Sequence, residues 1–322
     1  MSSKTQFIDR SEKFSLAQMP AGQNGLMPPV WALEQVGNGP LTTAGMQISG
    51  DAEHSITIRD AGEFALITAS MADAVSMDAA TFERRVADVY AAILKIIDTL
   101  SASRPVRLWN HIPAIHGQMD SRRDRYMVFN AGRYRAFSER YGGPHAFDRD
   151  VATASGIGHN GRDLIVHCLS TRGAALAVDN PRQIAPHRYS ARFGPLPPCF
   201  ARAMALPDAG LVLVGGTASI LGEESLHAVS LPLQMRETLT NLATVVEKAF
   251  ANVGAPASRG QDEWLGQFRE VRVYYPRAGD AAALFAMLGE SFGESCRIEM
   301  CRADLCRAEL RVEIEGVASL RS

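Results

Sequence analysis

Asp78–Ile112 reads DAATFERRVADVYAAILKIIDTLSASRPVRLWNHI, and the apolar period changes within it from that of a helix to that of a strand. Phe82, Val86, Val89, Tyr90, Ile93, Ile97 and Leu100 recur at helical intervals, so they share one side of a helix capped by Ser76 or Asp78. Pro105 then opens Val106–Ile112, whose Trp and β-branched residues suit a strand. Working outward, Phe64–Ala69 is a short buried-strand run. Asp124–Tyr141 is a second helix stopped by Gly142, Gly143 and Pro144, and Leu164–Leu169 is another strand. The second half repeats the order. Leu211–Val214 is a strand, and Pro232–Asn252 is a helix with Met235, Leu239, Leu242, Val246 and Phe250 on one stripe. Glu270–Tyr275 is a strand, Asp280–Phe292 a helix and Leu310–Ile314 a last strand. This order predicts an α+β fold of two modules, each with helices laid across one face of a sheet.

The division is expected in Val178–Pro198, where five prolines in 21 residues preclude a central strand or a long helix. Residues 1–177 then form an N-terminal module, 178–198 a proline-rich loop, and 199–322 a C-terminal module. The Gly-, Pro-, Ser- and Thr-rich residues 1–60 are expected to wrap a module as loops and short strands.

Composition narrows the function classes. The chain has 322 residues, 46% of them apolar and 21% charged, which is ordinary for a globular protein and excludes disorder or a coiled coil. A formal charge of -2 gives no electrostatic reason to hold nucleic acid. No apolar stretch reaches membrane-spanning length and no signal core is seen, so a cytoplasmic protein without a membrane partner is expected. The five cysteines are expected to be reduced. Neither they nor the eight histidines have the spacing of a metal site.

No GxxxxGK[ST] loop, GxSxG elbow or GxGxxG after a strand is found, and GIGHNG at Gly156–Gly161 is read as a turn. Arginine clusters remain, around Arg122–Arg135 and at Arg182, Arg188, Arg192 and Arg202; such planar cations match carboxylates. In Arg311–Glu315, alternation puts Arg311, Glu313 and Glu315 on one face and Val312 and Ile314 on the other. The charged face either lines a cleft or meets water.

The stretches FGPLPPCFARA, LVLVGGTASILGE, QMRETLTNLATVVEKA and a terminal VEIEG resemble the YjgF/RidA-like fold, also described as chorismate mutase-like. Over residues 60–318 the combination of WNHIPAI, FNAGRYRAF, NPRQIAPHRYSARFGPLPPCFARA, GGTASILGEES and ADLCRAELRVEIEG is similar to the chorismatases, which remove pyruvate from chorismate. The resemblance implies two YjgF/RidA-like modules and a cofactor-independent enzyme acting on chorismate. It implies Glu313 as general acid toward the enol ether, with Glu315 as the structural alternative. Arg133, Arg188, Tyr189, Arg202 and Arg311 become candidates for the substrate's carboxylates and hydroxyl. Gly216, Thr217 and Ala218 become a tight turn that lets the ring approach. Cys306 matches a thiol of the hydroxybenzoate-forming members, whereas the Ala218 methyl in GGTAS narrows the pocket in favour of hydrolysis; 3-hydroxybenzoate is favoured, with 4-hydroxybenzoate or a dihydroxycyclohexadiene carboxylate as alternatives.

Two other functions compete, a RidA-type enamine or imine hydrolase and a noncatalytic binder of aromatic acids. The arginine that RidA proteins carry before the last strand is out of register here, where Arg297 and Arg302 stand instead. A monomer is expected, with a trimer as the alternative.

Overall fold

In a computed structural model, residues 14–15, 26–37, 39–45, 54–100, 103–255 and 259–320 are described. The first part runs β1 (Phe14–Ser15), α1 (Val30–Val36), β2 (Leu41–Gly45), β3 (His54–Asp60), β4 (Phe64–Met71), α2 (Ala79–Thr99) and β5 (Arg104–Pro113). It continues with α3 (Arg125–Tyr141), α4 (Phe147–Asp150), β6 (Thr153–His159), β7 (Leu164–Thr171) and β8 (Leu176–Val178). Then come β9 (Ala203–Leu206), β10 (Leu211–Ala218), β11 (Ile220–Leu221), β12 (Glu224–Ser225), α5 (Leu231–Asn252), α6 (Gln261–Leu265), β13 (Phe268–Tyr275), α7 (Ala281–Ser291), β14 (Arg297–Arg302) and β15 (Glu313–Ser319).

Apart from the β11–β12 hairpin, these strands form two mixed sheets of the same design. The first has the order β2-β3-β4-β7-β5-β6, and the second has β8-β9-β10-β15-β13-β14 with β1 added at its edge. In both, the last full strand in sequence is inserted antiparallel at the centre with a parallel pair beside it, β5 with β6 or β13 with β14, and β1 adds a second parallel pairing at the outer edge of β14. The expected repeat is therefore a repeat of strand order and direction.

Local chemistry explains the elements. The Asp78 side chain accepts the Thr81 N–H at the start of α2, Asp124 accepts that of Met127 at the start of α3, and Gly142 closes α3 at φ 80°. One face of the first sheet buries Ile67, Leu108 and Val166 under α2 and α3. One face of the second buries Val212, Val273 and Ile314 under α5 and α7. Trp31, Trp109, Leu169, Met204, Leu213 and Val317 join the opposite faces to each other. The proline-rich segment carries two single 3-10 turns, Pro186–Arg188 and Ala191–Phe193.

Three local expectations are corrected. GIGHNG is largely strand β6, because Gly156 and Gly158 let it lie close to its neighbours: a Cβ would fall 2.9 Å from the Tyr126 ring at the first and 2.4 Å from Ile115 at the second. The last strand begins at Glu313 rather than Leu310. Its neighbours end beside that residue, Ala218 and Tyr274 being opposite it, and the Arg311 N–H donates instead to the Gln234 side chain. Gly216–Ala218 is not a turn after Val214. It completes β10, which carries a register shift between Val214 and Thr217 against β15.

Gly132 sits where α3 crosses α2, and a Cβ there would lie 2.4 Å from the Glu83 carbonyl oxygen and 2.7 Å from Val86 Cβ. Alanine is the better helix former by about 1 kcal/mol. Gly132→Ala is nevertheless expected to lower stability by about 1–3 kcal/mol through overpacking, read as a lower midpoint in thermal and urea unfolding.

Candidate active site

A cavity of about 320 Å³ opens between the two modules, at the lower end of the size range of small-molecule sites. Tyr126 and Met127 of α3 line it from the first module. Tyr189, Arg192 and Phe193 come from the proline-rich loop, Phe200 and Arg202 from the segment after it, and Gly216 and Ala218 from β10. Cys306, Arg307 and Glu309 of the loop before β15 complete the wall with Glu313.

Glu313 is the first residue of β15 and is 3% exposed. Gly216 leaves room for its carboxyl: a Cβ there would fall 2.0 Å from Glu313 Oε1, so any larger residue displaces the acid. The Cys306 thiol lies 3.9 Å from Glu313 Oε2, placed to donate to it. Burial, reinforced by the charge of Glu315, raises the Glu313 pKa to about 8, although Arg107, the thiol and Arg307 act in the opposite sense. Glu313 is therefore a carboxylic acid at neutral pH, an acid facing a cavity. Burial, with Glu313 beside it, pushes the Cys306 thiol up to about 12, so it is no thiolate there.

Glu315 shares the face of Glu313 and lies under it. Arg107 donates to Oε2 at 2.6 Å, Trp109 Nε1 donates to Oε1 at 2.8 Å, Tyr274 adds a bond to Oε1 at 3.2 Å, and the Ser155 hydroxyl donates to Oε2. The charged face of the last strand is thus buried, split between a carboxyl held by four donors and one that faces the cavity.

The cationic wall is built differently. Arg202 donates to Tyr189 Oη at 2.7 Å and to the Ile184 carbonyl at 2.9 Å. Arg307 lies 4.0 Å over the Phe193 ring and donates to the Glu223 carbonyl and Ser225 Oγ. Among the described residues neither guanidinium forms an ion pair with a carboxylate, although most surface arginines near acids do.

The structure brings together Glu313, Cys306, Tyr189, Arg202, Gly216 and Ala218. It places the other candidates elsewhere. Arg188 is 61% exposed and pairs with Asp148. Arg133 is buried behind Phe200, bonded to Asn130 Oδ1 at 2.8 Å. Arg311 pairs with Asp280 beside α7, 3.0 Å from Nε to Oδ2. The Thr217 hydroxyl turns back to the Gly215 carbonyl. Arg297 pairs with Glu270 outside the cavity. Sequence reasoning missed Tyr126, Arg307 and the group Arg107, Trp109, Ser155 and Tyr274. A charged residue in the apolar run VRLW was the available signal for Arg107.

Residues 42–170 match the family model described as chorismatase FkbO/Hyg5-like, N-terminal. A 3-hydroxybenzoate synthase of Streptomyces hygroscopicus is 34% identical over 236 residues, covering 71% of this chain and 67% of the relative. A chorismatase of Streptomyces rapamycinicus is 29% identical over 238 residues, covering 72% and 69%. A crystal structure of a chorismatase superposes with a TM-score of 0.73 at 24% identity, over 82% of this chain and 77% of that one, which shows the shared fold.

Between the ordinary carboxyl value of 4.5 and about 8, the folded chain keeps a proton on Glu313 that the unfolded chain has released. Stability from this group therefore falls as pH rises through that window. Glu313→Gln removes the group, so its melting temperature relative to the parent is expected to climb between pH 4.5 and pH 8. A pH-independent difference in thermal melts would refute the buried acid.

Proposed function

The chain belongs to the FkbO/Hyg5-like chorismatases, and from that premise we propose that it removes pyruvate from chorismate and releases 3-hydroxybenzoate. The observation that carries this is a buried carboxyl facing a cavity whose two arginines lack carboxylate partners among the described residues. Chorismate supplies both complements: two carboxylates for Arg202 and Arg307, and an enol ether whose terminal methylene accepts a proton. Tyr189, held by Arg202, faces the ring hydroxyl.

Glu313 gives its proton to the methylene carbon and the enol ether becomes an oxocarbenium ion; the neighbouring ring hydroxyl then attacks the ether-bearing ring carbon, the bond from that carbon to the ether oxygen breaks as pyruvate leaves, and the Glu313 carboxylate, now the nearest base, takes the hydroxyl proton. The ring epoxide so formed opens at the bond to the oxygen's original carbon, and the carbon that now bears the oxygen loses its proton, which ends on that oxygen, so the ring becomes aromatic as 3-hydroxybenzoate. This outcome divides chorismate into two products without consuming water; the dihydroxycyclohexadiene carboxylate requires one. Phe193, Phe200, Ala218 and Ile220 make the wall apolar, and Cys306 fills the space beside the acid, so the cavity favours the outcome that needs no water.

A RidA-type hydrolase is not favoured. The arginine that RidA proteins carry before the last strand is out of register here, and Arg297, one of the two that stand instead, pairs with Glu270 outside the cavity. We also assign a monomeric state, a cytoplasmic location and the division at residues 1–177, 178–198 and 199–322, whose first boundary is crossed by β8, Leu176–Val178, a strand paired with β9 in the second sheet. No helix among the described residues is long and apolar enough to cross a membrane. A stable trimer in light scattering would overturn the monomer.

Purified protein given chorismate alone is expected to form pyruvate, followed through a coupled dehydrogenase, and 3-hydroxybenzoate, followed by chromatography. Absence of pyruvate above the spontaneous rate would overturn the assignment. Glu313→Gln keeps the shape and loses the proton, so kcat is expected to fall at least about 100-fold with binding retained. In the same assay Cys306→Ala opens space for water and is expected to shift product toward the dihydrodiol. An unchanged ratio removes the thiol from product control.

A further inference from the structure

Glu313 and Glu315 lie two residues apart on one face of β15, buried, and two such carboxyls cannot both ionise cheaply. The donors around them are distributed very unevenly. Each oxygen of Glu315 accepts two: Oε2 from Arg107 and Ser155, and Oε1 from Trp109 and Tyr274. Four convergent donors, one of them a guanidinium, fit a carboxylate and leave no lone pair for a proton. Among the described residues the Glu313 carboxyl has only the long thiol contact of Cys306. The pair therefore carries one negative charge, and geometry puts it on Glu315.

We propose that Glu315 is a positioning residue for the reaction: clamped by Arg107, Trp109 and Ser155 of the first module and Tyr274 of the second, it fixes β15 and, as a buried charge, keeps the proton on Glu313. The groups facing the pair are few. Glu313 meets Cys306 and Arg307 from the preceding loop, Tyr126 from α3, and Arg107 from β5. Glu315 meets Arg107 and Trp109 from β5, Ser155 from β6, Tyr274 and Arg272 from β13, and Cys301 from β14. Arg107 is the cation shared between the two acids, so the Arg107–Glu315 pair sets the field at Glu313. The inference rests on reading Glu313 as the proton donor, but its central test needs no substrate.

The Glu313 carboxyl can be titrated by carbon-13 NMR in protein labelled at glutamate, with Glu313→Gln to assign the signal. Glu315→Gln leaves Arg107 without its counter-charge beside Glu313, which is expected to ionise at a pH lower by about one unit or more. Arg107→Gln leaves Glu315 unbalanced and moves the titration upward. The double variant removes both charges and returns it toward the parent value. The alkaline limb of kcat is expected to follow the same three shifts. Should one single variant fail to fold, the other, compared with the double, gives the same contrast. A role confined to bracing the fold would lower melting temperatures and leave the titration of Glu313 unmoved, which would overturn the proposal. Shifted titrations in a protein that releases no pyruvate from chorismate would uphold it and overturn the proposed function.

Discussion

The ion pair between Arg107 and Glu315 is the constraint on which the rest of the site depends. Both side chains are 1% exposed, and burying two charges costs several kcal/mol per ion unless every donor and acceptor is met. Here they are met across the two sheets: Arg107 also bonds Ser155 Oγ and the Leu108 carbonyl, and its guanidinium stacks 4.8 Å from the Trp109 ring. A pair this demanding leaves little freedom in how the second sheet faces the first. It holds β15 so that the residue two places earlier, Glu313, stands at the edge of the inter-sheet layer, where the cavity begins.

The two sheets share one design, yet only one side of their junction carries the acid. β7, which stands in the first sheet where β15 stands in the second, presents Ile165 and His167 where β15 presents Glu313 and Glu315. That side is filled by the chain itself. The Leu26 carbonyl lies 2.7 Å from His167 Nε2, the Met27 carbonyl accepts from Arg272 at 2.7 Å, and Trp31 packs 5.7 Å from Trp109. Burial holds His167 to a pKa of about 4, so it stays neutral there. The repeated architecture thus has one open cleft lined by Glu313 and one side closed by apolar packing and backbone hydrogen bonds.

The site also shows how small residues place a large reactive group. Gly215 and Gly216 lie at the register shift in β10; a Cβ on the first would meet Thr153 Oγ1 at 2.4 Å and on the second would displace the Glu313 carboxyl. The close approach of the two modules and the space for the acid therefore depend on the same pair of glycines.

What the sequence determined by itself was whatever is written in local period and motif. The helices at 79–99, 125–141 and 231–252 follow from apolar stripes and caps, and the inward face of Val312 and Ile314 follows from alternation. Glu313 and Cys306 were legible through the resemblance of ADLCRAELRVEIEG. Tertiary structure alone decided which of two acids on one face is met by donors and which faces the cavity, because Arg107, which bonds Glu315, lies 208 positions away and spacing carries no record of it. It also decided which arginines line the cavity. Arg188 and Arg311 are drawn to Asp148 and Asp280, Arg133 is buried behind Phe200, and Arg307 is held over Phe193. A guanidinium goes to the nearest charge or ring that three-dimensional packing offers, and that neighbour is fixed only when the sheets meet.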